Sequence, residues 1–271
     1  MKNQLDIAKI QSRNNVQITG RGDRTMLFVH GFGCNSSMWR YVAPSFAADY
    51  RVVTFDLVGS GNSDTSAFDL TRYSTLQGYA RDILEVAEAL ELEKTILVGH
   101  SVSAMLGAIA SREQPDRFSH LIMVAPSPRY INDLPDYFGG FERADLDEMF
   151  DLMDKNYMGW ANFLAPLAIG TENSPELTEE LSASFCSTDP ITARTFAKAT
   201  FYSDNRSTLP HVPIPCLVLQ CSDDSIAPLE VGDYVHQNLP HSTLQRLSAT
   251  GHCPHLSNPE ETIEAIRNYL K

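Results

Sequence analysis

Short apolar runs alternate with helical periodicity through the first half of the chain. "TMLFV" (25–29), "RVVTF" (51–55), "TILV" (95–98) and "LIMV" (121–124) are each too short for a helix and are bounded by Gly, Asp or Pro. Their apolar residues are continuous rather than alternating, which predicts strands buried on both faces of a parallel sheet. Between them, "LQGYARDILEVAEAL" (76–90) and "SAMLGAIAS" (103–111) place apolar side chains at helical spacing. Strand, helix, strand repeated predicts a doubly wound α/β sheet.

The alternation stops after Val124. From Pro128 to Arg206 the pattern is helical throughout, with Pro175 and Pro190 where helices would begin. "PCLVLQ" (215–220) resumes the sheet, followed by a helix in "PLEVGDYVHQNL", a strand in "STLQRL" and a last helix in "PEETIEAIRNYL". The expectation is a mostly parallel α/β core over 1–127 and 207–271, interrupted by a helical insert over 128–206. An insert of that length far exceeds an ordinary connection and suits a lid over a site.

Composition adds exclusions. Acidic residues number 34 and basic residues 21, a net charge of −13, which disfavours non-specific binding to nucleic acid or anionic membrane. The apolar fraction of 43% supports a sizeable core, yet no apolar run approaches the roughly 20 residues that span a bilayer. The first residues, "MKNQLDIAKIQSRNNVQ", contain no apolar stretch of signal-peptide length, so a cytoplasmic protein is expected. Cys34, Cys186, Cys216, Cys221 and Cys253 are odd in number and form no CxxC, which reads as free thiols rather than a zinc site or disulfide framework.

The chemistry gathers at strand ends. In "VGHSVSAM" (98–105), Ser101 lies in the turn from a strand to a helix, between Gly99 and Ser103. Small flanking residues relieve the crowding of such a turn, as in Gly-x-Ser-x-Gly, although Ser103 replaces the second glycine. The bland role is a helix N-cap. A serine nucleophile needs an imidazole base and usually an orienting acid, arriving in the order Ser, acid, His. His252, in "ATGHCPHLSNPEE", lies between the last strand and last helix and is preferred over His255, whose alternative role is packing or capping. His120, His211, His236 and His241 fall in connections or helices and read as surface or structural. The acid should follow "CLVLQ": Asp224 is chosen, with Asp223 as the alternative, one of the two serving only the turn. For an oxyanion, the backbone N–H groups of Val102 and of Phe32, in "HGFG" (30–33), stand at two strand ends. No metal or organic cofactor is required for this chemistry.

"HGFG", "FDLVGSGNSD", "VGHSVSAM", "QCSDDSIAP" and "GHCPH" resemble the α/β-hydrolase superfamily. "VGHSVSAM", "APSPRYIND", "GGFE" and "FCSTDPITAR" further resemble the RsbQ-type stress-response hydrolases and the plant karrikin and strigolactone receptors, from about Asn15 to Leu270. The resemblance implies an α/β-hydrolase fold with a four-helix, V-shaped lid over an apolar pocket. It carries Ser101, Asp224 and His252 over as a triad and suggests Phe32, Val102, Phe141, Trp160, Phe163 and Phe201 as pocket lining. Those aromatics have another reading: they could simply hold the lid helices together. By resemblance, the ligand is a small apolar ester or lactone and a PAS-domain phosphatase is the implied protein partner. "VGHSVSAM" is nearer the plant form at Ser103, "FCSTDP" nearer the bacterial form. Metabolic hydrolase and slow-turnover ligand sensor would carry the same three residues, as would a carbon–carbon bond hydrolase; a dehalogenase would need an acid at 101.

Overall fold

The computed structural model describes residues 7–271. Its sheet has seven strands: β1 (Gln17–Thr19), β2 (Arg24–Val29), β3 (Tyr50–Phe55), β4 (Thr95–His100), β5 (Phe118–Val124), β6 (Cys216–Asp223) and β7 (Ser242–Thr250). They run in the order β1-β3-β2-β4-β5-β6-β7. Only β1 is antiparallel to its neighbour. β4 is buried at every residue and β2 at all but its first, as continuous apolar runs between two helical layers require.

Among the described residues ten α-helices accompany the strands: α1 (Ile7–Arg13), α2 (Leu76–Ala89), α3 (Val102–Glu113), α4 (Arg143–Lys155), α5 (Tyr157–Ile169), α6 (Pro175–Ser187), α7 (Pro190–Phe201), α8 (Leu229–Asn238), α9 (Pro254–Ser257) and α10 (Pro259–Tyr269). One sheet face packs against α2, α3 and α8 around Leu27, Val53, Leu97 and Leu121. The other packs against Trp39, Phe46 and Ile266 of α10. A third apolar cluster joins α4 to α7 with Cys34, Ile226 and Cys253, which lie on loops at the C-terminal ends of β2, β6 and β7. The four helices therefore rest on the strand ends where the candidate residues stand.

Two differences from the sequence pattern have local causes. β1 was not anticipated: three exposed residues, Gln-Ile-Thr, at a sheet edge carry no apolar run to announce themselves. Residues 128–142 are not helical but an irregular segment with bridges Ile131–Phe141 and Asp133–Tyr137. Proline at 128 and 135 and adjacent glycines at 139 and 140 keep that stretch from continuous helix. Helix begins only at Arg143, where Glu142 and Asp145 form a reciprocal capping box.

Candidate active site

The sheet order reverses between β2 and β4, so the loops after these two strands diverge and leave a crevice. The turn after β4 is sharp. Ser101 has φ +57° and ψ −125°, a conformation costly for a residue with a side chain. It holds because the surroundings fix it: the Ser101 N–H donates to the Val124 carbonyl at 2.8 Å. Gly99 makes the turn possible, since a Cβ there would lie 2.4 Å from the Ser103 carbonyl oxygen. Ser103, where a second glycine was the reference, is wholly buried, and its hydroxyl donates to the His30 carbonyl at 2.5 Å. That bond ties α3 to the loop carrying Phe32.

Ser101 Oγ lies 2.7 Å from His252 Nε2, and His252 Nδ1 lies 2.7 Å from Asp224 Oδ2. The other Asp224 oxygen accepts the N–H groups of Ile226 and Ala227, at 2.8 and 3.0 Å. All three side chains are buried, whereas Asp223 is exposed and lends its carbonyl to the Gly251 N–H. Of the two acids, the structure brings Asp224 to the imidazole. The carboxylate is acceptor-only, so Nδ1 carries the proton and Nε2 faces the serine bare.

The His252 loop is held from both sides. His100 Nε2 donates to the His252 carbonyl at 2.8 Å, which leaves His100 Nδ1 as an acceptor without a partner among the described residues. The His252 N–H donates to the Ala168 carbonyl at the end of α5, at 2.7 Å. Gly251, at φ +77°, lets the chain pass close beneath α5; a Cβ there would meet the Ile169 carbonyl oxygen at 1.9 Å. His255 packs its ring centroid 4.4 Å from His100 and 4.6 Å from Trp39, and neither of its nitrogens has a hydrogen-bond partner among the described residues. Burial, then the nearby His252 and Arg40, lowers its pKa to about 3. Burial likewise lowers His100 well below its ordinary value, with His255 and His252 adding to the effect. His30 is also lowered, chiefly by burial.

A narrow cavity lies above Ser101, walled mainly by apolar side chains of the core loops and the four helices. Of the suggested residues, Phe32 and Phe201 line it. The other four suggested residues do not. The Val102 side chain is buried in the core around α2 and α3. Phe141 packs against Phe201, ring centroids 6.4 Å apart, away from the lining. Trp160 lines a neighbouring cavity instead. Phe163 is 52% exposed, because the buried stripe of α5 runs through Trp160, Ala161, Leu164, Ala165 and Ala168, and position 163 falls outside it.

Several lining residues escaped the sequence reading. Tyr130 places its hydroxyl 3.3 Å from Ser101 Oγ. Burial pushes its pKa up, so it stays protonated and able to donate. The signal for it was "APSPRYIND", directly after β5, where chemistry-bearing loops of this sheet begin. Leu164, Leu181, Phe185, Cys34 and Cys253 complete much of the wall; all five cysteines of the chain are free thiols. Among the described residues no group of three or more His, Cys, Asp and Glu could hold a metal ion. Nor is any described helix long and apolar enough to cross a membrane.

Known proteins match nearly the whole length of this chain. The karrikin insensitive 2 receptor CA of Petunia hybrida is 41% identical over 96% of this chain and 97% of its own length. The strigolactone esterase D14 of Arabidopsis thaliana is 38% identical over 94% and 96%. Among solved structures, a hydrolase from Oleispira antarctica superposes with a TM-score of 0.96 at 48% identity, covering 97% of each chain. The model of the "Alpha/beta hydrolase family" matches residues 26–265. With that match, with a mostly parallel seven-stranded sheet, and with relatives similar along their full lengths, the chain belongs to the alpha/beta hydrolase family.

Proposed function

We propose that this hydrolase cleaves a small, largely apolar ester or lactone through an acyl-enzyme formed on Ser101. Ser101 Oγ attacks the carbonyl carbon while His252 Nε2 takes its proton. Asp224 holds the ring in the required tautomer and stabilises the imidazolium that forms. The N–H of Val102, first residue of α3, has no acceptor within its helix. With the Phe32 N–H it forms the proposed oxyanion site. The protonated His252 then returns its proton to the leaving oxygen, and a water activated by the same ring releases the acid. Residues 128–206 serve as a lid between the core segments 1–127 and 207–271.

The observation that carries this reading is the continuous chain of two 2.7 Å contacts from Ser101 through His252 to Asp224 beneath an apolar cavity. The near absence of charge around the cavity supports an uncharged ligand. Ser101→Ala is expected to lower turnover of p-nitrophenyl acetate by at least about a thousandfold. A fluorophosphonate should label wild-type protein at Ser101 and leave the variant unlabelled. Undiminished turnover in the variant would exclude the mechanism.

The relatives' names favour a second use of the same chemistry, since one is called a receptor and another a strigolactone esterase. On that reading hydrolysis is slow and reports ligand occupancy to a protein partner. Pre-steady-state kinetics separates the two: many turnovers per second mark a metabolic enzyme, whereas a burst followed by near-silence marks a sensor.

A further inference from the structure

The loop that carries the Phe32 N–H is held by the core at its near end. There the His30 carbonyl accepts the Ser103 hydroxyl, and the His30 Nδ1–H donates to the Gly31 carbonyl at 2.8 Å. At its far end the hold comes from α6. The Ser184 hydroxyl donates to the Gly33 carbonyl at 2.7 Å, across 151 residues of sequence. Among the described residues no other group donates to that carbonyl. Phe185 lies against the same residue: a Cβ on Gly33 would fall 2.0 Å from its ring. The Phe185 and Phe32 ring centroids are 5.9 Å apart. One turn earlier in α6, Glu180 accepts two hydrogen bonds from the Arg40 guanidinium, at 2.8 and 2.6 Å. Arg40 directly follows the short 3-10 turn Ser36–Trp39, just beyond the loop. Positions 180 and 184 are neighbours on one helix face, so α6 grips the loop and the turn after it together.

The grip matters because of the residue on which it falls. Gly33 has φ +68°, and glycine takes positive and negative φ with nearly equal ease, so its own backbone does not fix the loop. Rotation at Gly33 would be passed to the adjoining Phe32 peptide and swing its N–H off the oxyanion. The Ser184 hydroxyl, bonded to the Gly33 carbonyl, opposes that rotation. An oxyanion donor works by being aimed before the charge develops. A misplacement of about 1 Å can cost about a hundredfold in rate.

We propose that Ser184 is a positioning residue for the reaction: α6 sets the loop that presents the Phe32 N–H, and the Arg40–Glu180 pair keeps α6 in place to do so. The proposal rests on the hydrolase reading above. It gives this part of the proposed lid a share in the chemical step besides its share in the cavity wall. The hold does not depend on the acyl group, so small and larger esters feel its loss alike.

Ser184→Ala should lower kcat for p-nitrophenyl acetate about tenfold and leave KM within about twofold, the pattern of an interaction needed in the transition state. p-Nitrophenyl butyrate should lose the same factor. Ser184→Thr keeps the hydroxyl and should restore kcat to within about threefold of the wild type. Glu180→Gln should lower kcat by less, because the amide oxygen still accepts one bond. Hydrogen exchange followed by mass spectrometry reads the loop without turnover: the amides from Gly31 to Cys34 should exchange faster in Ser184→Ala than in the wild type or Ser184→Thr.

An unchanged kcat in Ser184→Ala, a change in KM alone, or a loss that differs between the two esters overturns the proposal and reduces α6 to a wall of the cavity. The same loss in Ser184→Thr as in Ser184→Ala overturns it too, since the hydroxyl would not be what matters. If the wild type neither turns over an ester nor takes a fluorophosphonate label at Ser101, the hydrolase reading fails. Exchange still decides the hold in that case: faster exchange in Ser184→Ala alone supports it, and unchanged exchange overturns it.

Discussion

Ser101 stands in a strained backbone conformation. A left-handed φ of +57° is tolerable for glycine and costs a side-chain-bearing residue about 1–3 kcal/mol. Ser101→Gly and Ser101→Ala should both abolish ester turnover. Ser101→Gly should nonetheless be the more stable of the two by about 1 kcal/mol, read as a higher urea midpoint at unchanged m-value. Equal midpoints would show that the turn is not strained. The glycine at 99 and the serine at 101 were legible because the crowding of one turn dictates both residues over a few positions. Phe163 and Phe141 were misread and Tyr130 was missed for the opposite reason: which side of a helix or loop faces a cavity depends on partners far along the chain. His100 belongs with them, for its bond to the His252 carbonyl joins residues 152 apart in sequence.

Among the elements, α3 and the loop after β2 behave as one piece. The Ser103 hydroxyl on the His30 carbonyl is the direct link between the two proposed oxyanion donors. Ser103→Ala should cost about 1–2 kcal/mol of stability. It should also lower kcat for p-nitrophenyl acetate more than it raises KM, because the donors are needed most in the transition state. A change confined to KM would count against that role. The strands β2 to β7 and the helices α2, α3, α8 and α10 were read to within about three residues of their ends, since each carries its own apolar period, whereas the short β1, α1 and α9 were not read at all. The segment 128–142 was not. Its helical reading extended the pattern of its neighbours, while two prolines and two glycines in the segment itself ruled that out. The helices above the strand ends were visible as a break in the alternation, but how they divide the space beneath into two cavities depends on their packing.

For the whole molecule, pH enters through buried imidazoles rather than the net charge of −13. His30, His100 and His255 all titrate below the ordinary 6.5 in the folded chain, with burial as the leading cause, and His255 falls to about 3. The unfolded chain binds protons at these sites near the ordinary value and the folded chain does not. Folding stability therefore rises with pH across this window and is lost as pH falls from about 6.5 toward 3, at up to about 1.4 kcal/mol per pH unit for each histidine. His255→Phe should remove about one proton from that slope, measured as urea-unfolding free energy between mildly acidic and neutral pH. An unchanged slope would mean that His255 is charged in the native state.

The hydrogen bond from the His252 amide to the end of α5 gives the roof and the base a common hinge pin. A wide gape of the helices away from the sheet would either snap that bond or drag the imidazole off the serine. On the proposed mechanism, with residues 128–206 as the proposed lid, cleavage therefore requires the α5 end of that lid to stay seated on the loop that carries the imidazole.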